Sequence, residues 1–489
     1  MAIILPANTL SSGFEVTNSC QFSAEDSLKM SKTLGTATNN KKFTVNVWIK
    51  IAKLGTDRAI FTARTGTSGA YFNCILNTDD QLNVYGNDKD SANEFDYKTN
   101  RVFRDTGAWY CFTFAMDTTL GTAGNILRIY VNGVEETSFA TETNPTQDAI
   151  YVANYTGYTF VVGARTDNSE YWDGYQAEFC MIDGQQLTPT SFGEFDEDSP
   201  TIWKPIDVSG LTFGNNGFYL DFEDSSNLGN DVNGGTDLTE SNIAAVHQVE
   251  DTPTNNFCIL NQIQPYGSGV FTFRDAGTQF VGTQGNAWRV VSGSIAVTTG
   301  KYYYEVEINT SSANNSYSIG WLSTNNLPAS VWTSYLGDIN GPALGLGKGG
   351  TLDYSTHTAN SQTDTGWTSY TNGADIVMCA IDLDNNYAYW GKNGTWMKSG
   401  DPESGATGTG GFAFENTAGY DWYPAFGSTE GASGSTIHMA ANFGHGNFGN
   451  VSGVSSAVAS AGSNASGFGV FEYNVPAGYG AICTKQMNE

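Results

Sequence analysis

A chain of 489 residues with 57 Gly, 13% aromatic and only 15% charged residues is too long for one small core and too rich in turn formers for a helical protein. Two to four β-rich units are expected. Its net charge of -28, from 22 Lys and Arg against 50 Asp and Glu, excludes the clustered basic surface that neutralises phosphates, so no nucleic acid is expected as a partner.

The N-terminus "MAIILPANTLSSG" has no basic region before its short apolar run, and no stretch approaches the ~18 apolar residues of a spanning helix. Neither a signal peptide nor membrane insertion is expected. The first clear strand is "KFTVNVWIKIA", in which Phe43, Val45, Val47, Ile49 and Ile51 alternate with Thr44, Asn46, Trp48 and Lys50, a period of two that puts one face in a core. Strands are then predicted at 58–64, 71–76, 81–86, 108–117, 126–136, 158–165 and 174–183, at the short spacing of an antiparallel sandwich.

From about 184 the pattern loosens through "TPTSFGEFDEDSPTIWKP" and "SSNLGNDVNGGTDLTESN" to "DTPTNNFCIL", which reads as a connector packed on the first domain and ending near Phe257. A second strand series begins with "VFTFRD" and "AWRVVSGSIAV". In "KYYYEVEINT", Tyr302, Tyr304, Val306 and Ile308 share a face; strands follow at 316–323, 375–384, 388–398, 421–428 and 436–444.

Each series holds one Asn-Gly hairpin, "RIYVNGVEE" at 128–136 and "AYWGKNGTWMK" at 388–398, where Asn132-Gly133 and Asn393-Gly394 supply the positive φ angles of a tight turn. Two hairpins in two strand series imply two sandwiches. Seven cysteines (Cys20, Cys74, Cys111, Cys180, Cys258, Cys379, Cys483) lack C-x-x-C spacing, and several lie inside apolar strands. They read as buried free thiols made in a reducing compartment.

The order "FTVNVWIK", "WYCFTFAMD", "LRIYVNGVEE", "YWDGYQAEFCMID" resembles the laminin-G-like, concanavalin-type jelly-roll modules. From about 258 to 484, "GKYYYEVEI", "SIGW", "GADIVMCAIDLDNNYAYWGKNGTW", "YPAFGS" and "ANFG" resemble SPRY domains. The expected organisation is all-β: an attachment segment at 1–20, a jelly-roll domain at 21–195, an irregular connector at 196–257 and a SPRY-like sandwich at 258–489. "FGNNGFYLDF" through "DTPTNNF", and the closing "YNVPAGYGAICT", resemble connectors of tailed-bacteriophage virion proteins.

That resemblance implies a protein assembled in the host cytoplasm and displayed on a virus particle as a compact fibre, spike, tail or head-decoration component. Its implied partners are other virion proteins, a host-surface glycan or receptor, and further copies of itself as a trimer or symmetric ring. About 20 residues precede the first domain and no heptads occur, which favours a spike or decoration over a shaft.

Jelly-roll folds also host glycosidases, whose retaining chemistry needs two carboxylates about 5 Å apart. Glu194, Asp196 and Asp198 in "EFDEDS" and Glu305 and Glu307 in "YEVEIN" have alternate spacing, but both sets read as solvated carboxylates, the second on the outer face of a half-buried strand. "GLGKGG" at 345–350 satisfies G-x-G-x-x-G with no helix to follow and reads as a flexible loop. "DLDNN" at 382–386 has Tyr387 where a calcium loop needs Gly. His247, His357, His438 and His445 lack metal-ligand spacing, and no G-x-S-x-G elbow occurs.

No cofactor is expected, calcium near Asp167 and Asp173 being the one the loop carboxylates would allow. Contact function is placed on Trp332, Trp367, Tyr370, Trp390 and Trp396, in or beside the loops and hairpin of the second domain, where rings could stack on sugars or anchor a protein. The expected function is non-enzymatic binding. Its alternatives are a polysaccharide depolymerase and a purely structural docking component.

Overall fold

The computed structural model describes residues 13–488 apart from 67–68, 264–265, 268–270, 284–287, 311–314, 324–334, 338–340, 357–361, 371–374, 418–419, 430–435, 449–455 and 460. One compact unit lies within Asn8–Asn255 and a second within Asn256–Glu489. Both are built of antiparallel sheets with short 3-10 turns, and among the described residues there is no α-helix, so the all-β tandem expected from the strand series is what the chain forms.

In the first unit the front sheet runs Val134–Glu135, Leu127–Val131, Trp109–Asp117, Lys42–Ile51, Gly174–Asp183, Ser19–Phe22, Gln248–Val249, with Phe218–Leu220 also paired to Gly174–Asp183. The back sheet runs Phe139–Thr143, Glu94–Val102, Gln81–Asn87, Tyr71–Leu76, Arg58–Arg64, Thr159–Val162, Lys29–Thr33, Thr239–Ser241. Alternation places Phe43, Val45, Val47, Ile49 and Ile51 in the core between the sheets, where Phe61 meets Phe114 and Phe179 edge to face.

The opposite face of the front sheet is buried as well. The tract after Asp183 lies over it, with Trp203 packed on Trp48, Cys111 and Ala177, and with Phe192, Phe213 and Tyr219 packed on Cys180 and Ile182. Under this layer Lys50 and Asp251 form a fully buried ion pair at 2.6 Å, and Trp109 Nε1–H donates to the other Asp251 oxygen at 3.0 Å. The expected connector is thus a third layer. It also gives Phe218–Leu220 and Gln248–Val249 to the front sheet and Thr239–Ser241 to the back one, while Ser19 and Cys20 belong to a strand rather than to an attachment segment.

The second unit repeats the plan. One sheet runs Tyr266–Gly267, Arg289–Ser292, Trp422–Thr429, Ser316–Ser323, Ala343–Gly347, Leu352–Ser355, Gln362–Asp364. The other runs Phe271–Arg274, Gln279–Thr283, Thr436–Asn442, Lys301–Thr310, Ile376–Asp382, Tyr387–Lys392, Thr395–Trp396, with Phe412–Ala413 beside Tyr387–Lys392. Tyr302, Tyr304, Val306 and Ile308 enter the core together, as their spacing predicts. Their neighbour Tyr303 points to the outer face with Met378, Ala380 and Tyr389, which Phe471, Val475 and Tyr479 cover. The closing tract is therefore a layer of the domain. "GLGKGG" is no loop at its start: Ala343–Gly347 is a strand, and a Cβ on Gly345 would stand 2.4 Å from the Leu336 carbonyl.

Both hairpin turns have positive φ at both central residues, 49° and 77° at Asn132-Gly133 and 50° and 79° at Asn393-Gly394. In each the Asn Oδ1 accepts a main-chain N–H at 2.8 Å, from Cys111 and from Ile376 respectively. Each lies beneath an aromatic ring of the covering layer. A Cβ on Gly133 would meet the Trp203 ring at 2.3 Å, and one on Gly394 would meet Tyr473 at 3.0 Å.

Gly133→Ala should therefore cost roughly 1–2 kcal/mol for the left-handed backbone plus about 1–3 kcal/mol for the displaced indole. Gly55→Ala, at φ 72° with nothing within 4 Å, should show the first cost alone. Denaturant unfolding of the full chain compares them, and equal losses would show that Trp203 does not bear on the turn.

Candidate functional site

The second hairpin leads from Trp396 into two 3-10 turns, Met397–Ser399 and Pro402–Thr407, the latter capped by Asp401, whose Oδ1 accepts the Glu403 N–H at 3.0 Å. These residues form one wall of an open cleft of ≈ 790 Å³; residues 461–463 and 472–476 of the covering layer form the other. Trp396, Asp401, Glu403, Glu472, Tyr473 and Asn474 line it. Glu403 accepts the Ala477 N–H at 2.9 Å and so ties the two walls together at one end. The half-buried Trp396 ring stands edge-on to Tyr303 and Tyr389, with centroids 6.3 and 6.5 Å away.

Beneath the cleft lies Glu305, fully buried. Its Oε1 accepts the Tyr303 hydroxyl and the Tyr473 N–H, each at 2.8 Å, and its Oε2 accepts the Glu472 N–H at 2.8 Å and Asn442 Nδ2 at 3.3 Å. Four donors match the four acceptor positions of a carboxylate. Burial pushes the Glu305 carboxyl up to about 7, against the pull of those donors. The solvated placement expected from alternation is corrected here, because the outer face of its strand meets the covering layer instead of water. Glu307 on the same face is half-buried, and burial raises its carboxyl.

The first unit holds a counterpart that the sequence reading did not single out. Glu178 sits at a bulge in Gly174–Asp183 with φ 49°, accepts the Tyr219 hydroxyl at 2.6 Å, and is pushed up to about 8 by burial. No motif marks it, since the bulge and the covering Tyr219 arise only in the fold.

Of the four aromatic candidates among the described residues, only Trp396 lines the cleft. Trp332 lies outside the described residues. Trp390 and Tyr370 are core side chains, Trp390 Nε1–H donating to the Ile319 carbonyl at 3.0 Å and the Tyr370 hydroxyl to the Leu346 carbonyl at 2.5 Å. Trp367, also in the core, packs edge to face on Trp390 at 5.3 Å and lies under the Lys398 ammonium. Strand parity explains the difference: Trp390 points between the sheets, whereas Trp396 follows the turn and emerges on the outer face. Tyr473 stands in the tract that resembles a connector, and the alternation of Phe471, Tyr473 and Val475 is the signal in the sequence that marks it.

The other polar candidates are occupied by the protein itself. Asp167 accepts the Ser169 hydroxyl and pairs with Arg165 at 3.5 Å, while buried Asp173 stands 3.8 Å from Lys53 Nζ. Asp196 is buried, a correction to its solvated placement, and lies 3.5 Å from Lys204; Glu194 and Asp198 are exposed. Asp382 accepts the Asp384 and Asn385 N–H groups in a turn and pairs with Lys301. His357 lies outside the described residues; His247 and His445 are buried and His438 is half-buried. Among the described residues no group of three or more His, Cys, Asp or Glu is placed to hold a metal ion, and no helix is long and apolar enough to cross a membrane.

Glu305 gives this site a pH signature. An unfolded glutamate ionises near 4.5 and the folded one near about 7, so between these values the folded state retains the extra proton and stability falls as pH rises. The total fall is up to about 3 kcal/mol. Glu305→Gln should abolish it, so the pH dependence of unfolding, taken as wild type minus variant, should slope downward from pH 4.5 to 7. A flat difference would contradict the placement.

Residues 22–190 match the family model of the concanavalin A-like lectin/glucanases superfamily, and residues 301–441 match that of the SPRY domain. No curated protein matches the chain. Among solved structures, a native heptameric SAP-like pentraxin from Limulus polyphemus is 17% identical over 36% of this chain and 80% of its own, at a TM-score of 0.27. The SPRY domain of human HERC1 is 20% identical over 33% and 87%, at a TM-score of 0.25. Domain 4 of AbnA, a GH43 extracellular arabinanase from Geobacillus stearothermophilus, solved in complex with arabinotriose, is 18% identical over 32% and 66%, at a TM-score of 0.23. The chain carries a concanavalin A-like domain followed by a SPRY domain.

Proposed function

We propose that this protein is a non-enzymatic binding component of a tailed-bacteriophage particle, and that the cleft beside Trp396 takes a host-surface glycan. The observation that carries the reading is the pairing of two half-buried rings, Trp396 and Tyr473, with hydrogen-bonding Ser463, Asn474 and Glu472 along one cleft. Sugars present apolar ring faces and peripheral hydroxyls, and such a lining offers partners for both. The ≈ 790 Å³ of the cleft would accommodate a short oligosaccharide.

Placement on the particle, as a compact fibre, spike, tail or head-decoration protein assembled in the host cytoplasm, is supported by the two tracts that resemble virion connectors. Weak single sites gain avidity when multiplied, so symmetric copies held by other virion proteins suit this role. The reading needs no cofactor. A calcium ion near Asp167 and Asp173 would have to displace Arg165 and Lys53 from them.

On an array of host-surface glycans the full chain should retain a defined subset, and Trp396→Ala should weaken retention by about 10-fold or more at unchanged folding. Incubation with the same glycans should release no new reducing ends. Equal retention by the variant, or none by the wild type, would defeat the binding reading, and released ends would replace it with a depolymerase.

A further inference from the structure

We propose that Glu305 is a positioning residue for the cleft: its carboxylate sets where the wall at 472–476 stands, so binding depends on a side chain that no ligand touches. The inference rests on the cleft being the binding site. Two consecutive peptide N–H groups, of Glu472 and Tyr473, end on the two oxygens of this one carboxylate, each at 2.8 Å, and both residues line the cleft. Two parallel bonds to one planar acceptor fix the tilt of a segment as well as its distance, which a single bond does not.

The acceptor is itself fixed. The Tyr303 hydroxyl holds Oε1 from the same strand, and Asn442 Nδ2 reaches Oε2 from the neighbouring one while also donating to the Val470 carbonyl at 3.0 Å. Tyr303, Phe471 and Val475 seal the apolar surroundings. Other bonds of the wall act differently: Ser463 N–H to Asn474 Oδ1 at 2.8 Å and Val475 N–H to the Ser463 carbonyl at 2.9 Å join the covering layer to itself. The pair on Glu305 reaches through to the sheet.

Glutamine at 305 would keep the shape but turn an amide donor toward one of the two N–H groups, leaving a buried donor without an acceptor. Hydrogen exchange of the full chain, followed by mass spectrometry, reads the consequence. At a pH well above about 7, where the wild-type carboxyl is ionised, exchange across 470–477 should accelerate about 10-fold or more in Glu305→Gln, while 387–392 in the same sheet exchanges as in the wild type. Retention of the glycans bound by the wild type should fall about 10-fold or more in parallel.

Unchanged exchange at 470–477 would overturn the proposal, as would equal acceleration at both segments, which would make Glu305 a general stability residue. Should the wild type retain no glycan, the binding-site reading fails, and the exchange comparison still decides whether Glu305 positions the wall. If Glu305→Gln does not fold, Glu305→Asp, whose carboxylate stands one methylene short of the two N–H groups, is judged by the same two segments.

Discussion

Burying both faces of one sheet is the constraint on which each unit depends. A two-layer sandwich buries one face of each sheet and leaves the others to water, so a second buried face needs a third layer. Both units supply it from the chain that trails their strands: the tract after Asp183 covers the first, and the tract containing Phe471, Val475 and Tyr479 covers the second. These tracts are irregular because they follow the contour of a finished sheet. Their main-chain polar groups therefore have to find partners one by one.

This explains where four of the buried charges lie. Lys50 and Asp251, Glu178 and Glu305 all stand between a sheet and its covering layer, and none belongs to the apolar core between the sheets. An ionisable group sealed from water is tolerated only with its hydrogen-bonding positions filled, and filling them from an irregular segment selects one placement of that segment. The apolar contacts provide most of the attraction. The polar ones decide the register.

The cleft arises where the second covering layer meets the Asn393-Gly394 hairpin and the turns after Trp396. Its walls come from segments about 70 residues apart in sequence, joined at one end through Glu403 and Ala477 and underlain by Glu305. The same meeting in the first unit leaves the Trp203 ring on Gly133. Two turns with one geometry thus have different neighbours, and the second borders the cleft through Gly394.

The sequence by itself determined much of the strand pattern and its core faces, because a period of two is a local property: 58–64, 71–76, 174–183 and 316–323 stand where alternation and turn residues place them, and Tyr302, Tyr304, Val306 and Ile308 point inward together, whereas the strands Glu94–Val102 and Ala343–Gly347 are not among those it predicts. It also determined the two hairpins, since Asn-Gly needs no distant partner to adopt positive φ. Tertiary structure alone decided what the second face of each strand meets. Alternation separates Glu305 from Val306 but cannot say whether the side of Glu305 faces water or another segment of chain. That depends on a covering tract whose nearest bond to it comes 167 residues later, and on the outcome rest the burial of Glu305, the place of half-buried Trp396 in the cleft wall, and the cleft itself.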